Sequence, residues 1–267
     1  MKELETTCGV LLKAKGVDWR RATEPLLKEA KKTRSHEEHA VWLTRLLARL
    51  RDGHAEVRLT EKTRGSKAPV EPKAGPGMFL CRAGDRVSTL NAFGAAAAAG
   101  VTAGAEIFKL DGLPATEWLD RRVADLRDRV PFSTDHQADA FACRQGLAAA
   151  PGTKLAVEFK GVEGASKRAT VVVGRDGFVH DGPAFFPAGL EKSGDLRFGR
   201  TPKGYGYLHI RRCASDLAER LDAPPATLAG AAGLILDLRG NSGGGFDHDA
   251  FMGRFVPAGE TLAFKKR

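Results

Sequence analysis

The stretch Leu234–Phe246 reads LILDLRGNSGGGF, an apolar run that stops abruptly in glycines with one serine among them. Leu234 to Arg239 reads as a short strand. Its near-continuous apolar character predicts a strand covered on both faces, as in a parallel α/β layer. Gly240-Asn241-Ser242-Gly243-Gly244 then fits G-x-S-x-G, a sharp strand-to-helix turn that in many hydrolases exposes a nucleophilic serine. The functional reading turns on whether the serine or the glycines matter.

Ser242 fits the nucleophile role poorly. That elbow requires an acid and a histidine later in the chain. The residues from Gly243 to Arg267 hold one histidine, His248, six positions on around a glycine bend. The pair Leu238-Arg239 before the bend also suits the motif badly. The glycines make a better case, because glycine reaches dihedrals closed to other residues and so lets successive N–H groups converge. Convergent donors can form an oxyanion hole for the charge that develops when an acyl group is attacked. A tight turn without chemistry explains the same glycines equally well.

Outward from this stretch, the first sixty residues read as helical. Thr23-Glu24-Pro25 suits a helix start, since proline is tolerated in a first turn. Ser35 with Glu38 three residues on reads as an N-cap, and Leu43, Leu46, Leu47 and Leu50 continue at helical spacing. Gly53 suits the position just past the helix end, which places His54 immediately beyond it, before the alternating AEVRLT. Residues 61–77 carry charge, proline and glycine without periodicity and read as a linker. A second unit, residues 75–174, holds the short strand MFLCRA and an alanine-rich helix near Ala95 to Ala99. EWLDRRVADLRDRV and DHQADAFACRQGLAAA read as helices there, and KLAVEFK and RATVVVG as strands. Residues 175–203 read as a glycine- and proline-rich connection. A third segment, residues 200–267, holds a strand at Tyr205–Ile210, a helical turn near Ser215–Leu221 and the apolar strand described first.

Composition bounds the partners. The chain has 267 residues, 42% hydrophobic and 28% charged, with a net charge of +9. Its cations are dispersed, only two tyrosines are present for base stacking, and no nucleic-acid module is recognisable, so a solvated basic surface is favoured over nucleic-acid binding. No apolar run approaches the roughly 20 residues that cross a bilayer. Met1 to Gly16 shows no signal-peptide pattern, having only a weak apolar window at Cys8–Leu12, and the compartment stays undetermined. The four cysteines form no C-x-x-C pair and read as buried free thiols. His36 and His39 stand as HEEH, not H-E-x-x-H, and read as exposed helix surface. Asp247-His248-Asp249 reads as a helix start with acids near the positive end of the dipole. Trp19, Trp42 and Trp118 read as core anchors.

DLRGNSGGG resembles the D-x-R-x-N-x-G-G segment of the tail-specific, or C-terminal processing, serine peptidases, including their tricorn-like branch. Leu50 to His54 is similar to the L-x-D-x-H end of that family's helical entry segment. GVTAGAEIFKLDGLPA resembles the G-L-x-x-G-D-x-I-x-x-I-N-G stretch of its PDZ-like domain, departing at Ala105 and at Lys109-Leu110-Asp111. The three motifs stand in the family's order over nearly the whole chain.

The resemblance implies an α/β multidomain chain: a helical N-terminal region (1–60), a PDZ-like peptide-binding domain (75–174) and a partial crotonase- or Clp-protease-like catalytic core (200–267). It implies that His54 is the general base of the tricorn-like branch and that Gly243 and Gly244 donate to the oxyanion. It implies that Gly77, Met78, Phe79 and Leu80 form a carboxylate-binding loop whose strand edge holds a peptide or unfolded protein substrate. No metal or organic cofactor is needed for such chemistry. The family's nucleophile stands in a later G-x-x-S-A-S-E-like segment, and the sequence reaches Arg267 before one, so a chain truncated before its nucleophile is expected. Family members are commonly periplasmic or secreted, and a homo-oligomer is left open. The competing expectation is a non-catalytic peptide-binding protein on the same scaffold.

Overall fold

The computed structural model describes residues 2–57, 74–178, 182–183, 185–221, 226–256 and 259. It is a mixed α/β structure that divides into two compact units, Met1–Val179 and His180–Arg267. No helix among the described residues is long and apolar enough to cross a membrane. Most of the expected linker, and the end of AEVRLT, lie outside the described residues.

The first unit begins with α1 (Lys2–Thr7), α2 (Gly9–Ala14), α3 (Trp19–Ala30) and α4 (His36–Ala48). α3 starts six residues before the expected Pro25, because the Asp18 carboxylate accepts the Arg21 amide at 3.0 Å and caps the helix there. Pro25 therefore sits inside the helix, where a proline costs about 3 kcal/mol. Burial of Trp19 and Leu26 against Leu46 and Leu50, at roughly 2 kcal/mol per side chain, offsets that cost. Ser35 does cap α4, accepting the Glu38 amide at 3.1 Å, while the Glu38 carboxylate accepts the Arg34 amide at 2.6 Å. Beyond the helix it is Arg51, not Gly53, that turns left-handed (φ 53°), its carbonyl accepting from Lys15. The Gly53 amide instead donates to Ser133 Oγ at 2.9 Å. Arg45 of α4 and Arg49 just past its end both bind Asp128.

Asp128 lies on α6 (Ala115–Arg129), which with α5 (Gly94–Ala98) and α7 (Asp135–Gln145) belongs to the main body of this unit. The sheet comprises β1 (Met78–Ala83), β2 (Arg86–Ala92), β3 (Glu106–Leu110), β4 (Leu113–Pro114), β5 (Lys154–Lys160) and β6 (Ser166–Val172). Its order is β1-β2-β3-β5-β6 with β4 beside β3, and every pair is antiparallel. β5 alternates as a half-buried strand should: Leu155, Val157 and Phe159 enter a core with Leu119, Val123 and Leu126 of α6 and Ala138 and Ala142 of α7. The β3–β4 hairpin turns on Asp111-Gly112, both at positive φ, as a two-residue turn matched to strand twist requires. β1 is an edge strand, packed beside α7.

The second unit holds β7 (Glu191–Ser193), β8 (Leu196–Arg200), β9 (Gly206–Ile210), β10 (Leu234–Asp237) and the one-turn α8 (His248–Met252). The span 175–203, expected as a connection, thus contributes two strands. Ser215–Leu221, expected as a helical turn, forms turns and a 3-10 segment at Glu219–Leu221. The sheet order is β10-β9-β8-β7, with β9 and β10 parallel and the other pairs antiparallel. Leu196, Phe198, Leu208, Ile210, Leu217 and Phe251 form its core.

β10 departs from the expectation that opened the sequence reading. Leu234, Ile235 and Leu236 are 43%, 45% and 37% exposed, and only Asp237 is buried. The apolar run is an edge strand, hydrogen-bonded on one side to β9. Apolar composition records what a strand can bury, not whether a neighbour is present to bury it.

Candidate active site

The glycine turn is built onto the segment 211–213 that follows β9. Ser242 N–H donates to the Arg211 carbonyl at 3.0 Å, Cys213 N–H donates to the Gly243 carbonyl at 3.0 Å, and Cys213 forms a parallel bridge with Gly244. Gly244 has φ 150°, and a Cβ there would lie 1.8 Å from the Cys213 carbonyl oxygen, so no larger residue fits that backbone approach. Asn241 pins the bend from inside. Its Nδ2 donates to the Ile210 carbonyl at 2.9 Å and its Oδ1 accepts the Gly243 amide at 2.7 Å.

Of the amides expected to face an oxyanion, that of Gly243 is therefore engaged by Asn241. The Gly244 and Gly245 amides make no hydrogen bond among the described residues. Ser242 is exposed, and its Oγ donates to the Arg211 carbonyl at 3.4 Å, which offers no base to remove its proton. His248 packs its ring against Phe246, with centroids 4.4 Å apart, and Asp247 caps α8 through the Ala250 amide at 2.9 Å.

Before the bend, Asp237 is the hub of a polar cluster. Its carboxylate accepts from the Arg239 amide and guanidinium, at 2.7–3.1 Å, and from the Tyr207 hydroxyl. Burial alone would raise the Asp237 pKa; the hydrogen bonds from Arg239 and Tyr207 outweigh it and hold the carboxylate well below its usual range. Burial, then the neighbouring Asp237, pushes Tyr207 up to about 12. The pair to Asp237 raises Arg239. Asp237, Arg239 and Asn241 are three fixed letters of the D-x-R-x-N-x-G-G pattern; here Asp237 and Asn241 hold backbone amides of the turn, and the Arg239 guanidinium holds the Asp237 carboxylate. The pattern quoted them without saying what they hold.

Gly77, Met78, Phe79 and Leu80 lie together at the start of β1 in the first unit. Gly77 has φ 78°, its amide donates to the Gly177 carbonyl at 3.0 Å, and a Cβ would meet the Phe93 carbonyl oxygen at 2.2 Å. Met78, Phe79 and Leu80 are buried; the Phe79 ring meets Phe93 edge-on and lies under the Arg144 guanidinium, 5.7 Å from its centroid. The β1 pairing slips between Phe79 and Leu80. Alongside runs a cavity of about 420 Å³ lined by Leu80, Cys81, Arg82, His136, Cys143 and Arg144, from β1 and α7.

The cysteines differ from the expectation of buried thiols. Cys143 is buried, and burial first, then Cys81, raises its thiol to about 11. Cys81 is exposed, because it follows the point where β1 turns from buried to open positions, and Cys8 and Cys213 are half-buried. Of the tryptophans, Trp19 is buried, while Trp42 and Trp118 are half-buried against the cores.

His54 stands in the first unit with its side chain 99% exposed. Its amide donates to Asp52 Oδ1 at 3.1 Å, and its Nδ1 lies 3.7 Å from the same oxygen. The candidate residues thus form three local groups: His54 past α4, Gly77–Leu80 at β1, and Gly243-Gly244 in the second unit. Among the described residues no three His, Cys, Asp or Glu side chains gather as a metal site.

Comparison with solved structures finds mature CPAF, at 14% identity and TM-score 0.54, over 89% of this chain and 52% of that one. A CPAF mutant is similar at 13% identity and TM-score 0.56, over 88% and 53%. The photosystem II D1 C-terminal processing protease aligns at 16% identity over 89% and 61%, with a TM-score of only 0.31. The fold is of the CPAF kind, and the chain spans about half the length of the CPAF structures. No protein-family model matches the sequence, and no curated protein matches it.

Proposed function

We propose that this chain carries part of a serine peptidase of the tail-specific, tricorn-like kind, acting on unfolded or C-terminal protein segments. The observation that carries the reading is the glycine turn: a backbone approach open only to glycine at Gly244, braced by Asn241, with the Gly244 amide left unengaged among the described residues. In this reading Gly244 donates to the oxyanion, joined by Gly243 when its amide exchanges Asn241 for the substrate. One such donor is worth about 10²–10³ in turnover.

His54 serves as general base, since its imidazole is fully exposed, with Asp52 Oδ1 3.7 Å from Nδ1. The attacking hydroxyl comes from outside residues 1–267, because Ser242 donates to a carbonyl. The body around β1 and α7 is the PDZ-like module. An extended peptide adds to the edge of β1 that carries no strand among the described residues, its end toward Gly77–Leu80 and its side chains along the cavity lined by Cys81, His136 and Arg144. The second unit is the incomplete crotonase-like core, and the reaction requires no cofactor.

A fluorophosphonate probe tests the assignment of the nucleophile. The 267-residue chain is expected to stay unlabelled, and labelling at Ser242 would restore the elbow reading. In a product extended to include a nucleophile segment, His54→Ala is expected to lower peptide turnover by about 10²–10⁴ without altering the circular dichroism. Undiminished turnover removes His54 from the mechanism. The engaged Gly243 amide also favours a second reading, a scaffold that binds peptides and does not cut them. An extended product that binds peptide C-termini yet stays inert and unlabelled would decide for it.

A further inference from the structure

The His54 ring takes its place from the backbone beneath it. Its side chain is 99% exposed, and the ring forms no hydrogen bond among the described residues, Nδ1 standing 3.7 Å from Asp52 Oδ1. The turn that carries it lies between two residues committed to the helical core: Leu50 is buried, and Ala55 packs against the same cluster. Inside the turn, the Asp52 carboxylate accepts the His54 amide at 3.1 Å, and the Asp52 carbonyl accepts the Ala55 amide at 2.9 Å. Those bonds shape the turn but do not tie it to the body of the unit.

The start of α7 supplies that tie. Thr134 caps the helix by accepting the Gln137 amide at 3.0 Å, and Gln137 Oε1 accepts the Ser133 amide at 2.7 Å. With its own amide held in this way, Ser133 offers its Oγ to the Gly53 amide, which donates at 2.9 Å. The fit is close: a Cβ on Gly53 would lie 2.9 Å from Gln137 Nε2 and 3.3 Å from Ser133 Oγ. Just inside α7, Asp135 Oδ1 accepts from Arg51 Nη2 at 3.2 Å and from Arg127 Nη1 at 2.6 Å. Arg51 itself holds a left-handed φ of 53°, which a side chain disfavours, and its carbonyl accepts from Lys15 just past α2. Such a conformation persists only where its surroundings over-determine it, and here both ends of the residue are bound.

We infer that Ser133 and Asp135 are positioning residues for His54, a role that rests on the reading of His54 as general base. Ser133 fixes the amide of the residue before His54, and Asp135 fixes Arg51 at the entry to the turn. The imidazole is thereby presented from a turn tied to α7, not from a loose helix end. Neither residue touches the ring. The same helix contributes His136, Asp139 and Arg144 to the cavity beside β1, so one element lines the proposed peptide groove and sets the base.

Nitrogen-15 relaxation on the 267-residue chain reads the turn without calling on activity. Backbone order parameters of about 0.85 are expected at Gly53 and His54, falling toward about 0.6 in Ser133→Ala and in Asp135→Asn. Ser133→Thr, which keeps the accepting hydroxyl, is expected to restore them. Glu117→Gln, which breaks an exposed pair on α6, serves as a control without effect. In the extended product, Ser133→Ala and Asp135→Asn are each expected to lower kcat about tenfold with KM unchanged, as misplacement of a reacting group implies, and Ser133→Thr to recover it. Order parameters unchanged by both substitutions overturn the assignment. So does a kcat that falls with His54→Ala but not with Ser133→Ala or Asp135→Asn. A kcat indifferent to all three substitutions instead overturns the reading of His54 as general base, and the assignment falls with it.

Discussion

Asn241 joins two segments that the chain separates by thirty residues. Its amide group reaches the Ile210 carbonyl and the Gly243 amide, and its Nδ2 lies 3.4 Å from Cys213 Sγ. Truncation in Asn241→Ala leaves that carbonyl and that amide unmatched, at about 1–3 kcal/mol for a buried partner. The expected result is a lower urea midpoint with an unchanged slope, together with faster hydrogen exchange at Gly243. An unchanged midpoint would mean that the backbone pairs from Ser242 and Cys213 suffice to hold the bend. Sequence reading reached the glycines because a positive-φ turn leaves a local signature. It could not reach the side-chain brace, because Ile210 and Cys213 become neighbours of Asn241 only when β9 and β10 pair.

At the scale of elements, legibility follows how local the deciding interaction is. Ser35 and Asp247 cap their helices as read, since a cap is settled within four residues. KLAVEFK is a strand as read, since its alternation matches a sheet with one buried face. Pro25 misled because a core contact, not a local rule, carries α3 through it. β7 and β8 were hidden among glycines, and β10 reads as buried because composition is silent about neighbours. The β1–α7 groove is a product of the same non-local packing, and it places two cysteines of opposite character on one cavity. Cys81 is exposed, while burial raises Cys143 to about 11. A thiol raised from 9.0 to about 11 holds about 100-fold fewer thiolates at neutral pH. Iodoacetamide is therefore expected to alkylate Cys81 long before Cys143, as read by peptide mass spectrometry. If the groove holds peptide, the singly alkylated protein loses peptide binding. Equal alkylation rates at the two cysteines would show that α7 does not shield Cys143 in solution.

The molecule as a whole joins units whose cores differ in size. In the first, a six-stranded sheet shares one core with α5, α6 and α7, and β3 and β5 lie inside the sheet. In the second, a four-stranded sheet rests on a far smaller core and ends in a strand whose leucines and isoleucine face water. Exposed apolar edges of this kind are pairing templates that proteins ordinarily cover. Local stability tracks buried contact, so hydrogen exchange is expected to rank the strands. Amides of β3 and β5 exchange slowest, those of β9 follow, and those of β10 exchange fastest because only its β9 side is paired. Protection of β10 equal to that of β5 would contradict the ranking and show that its open edge is covered in solution. Dilution then separates the causes: cover by a second copy is lost as concentration falls, and cover from within the same chain is not.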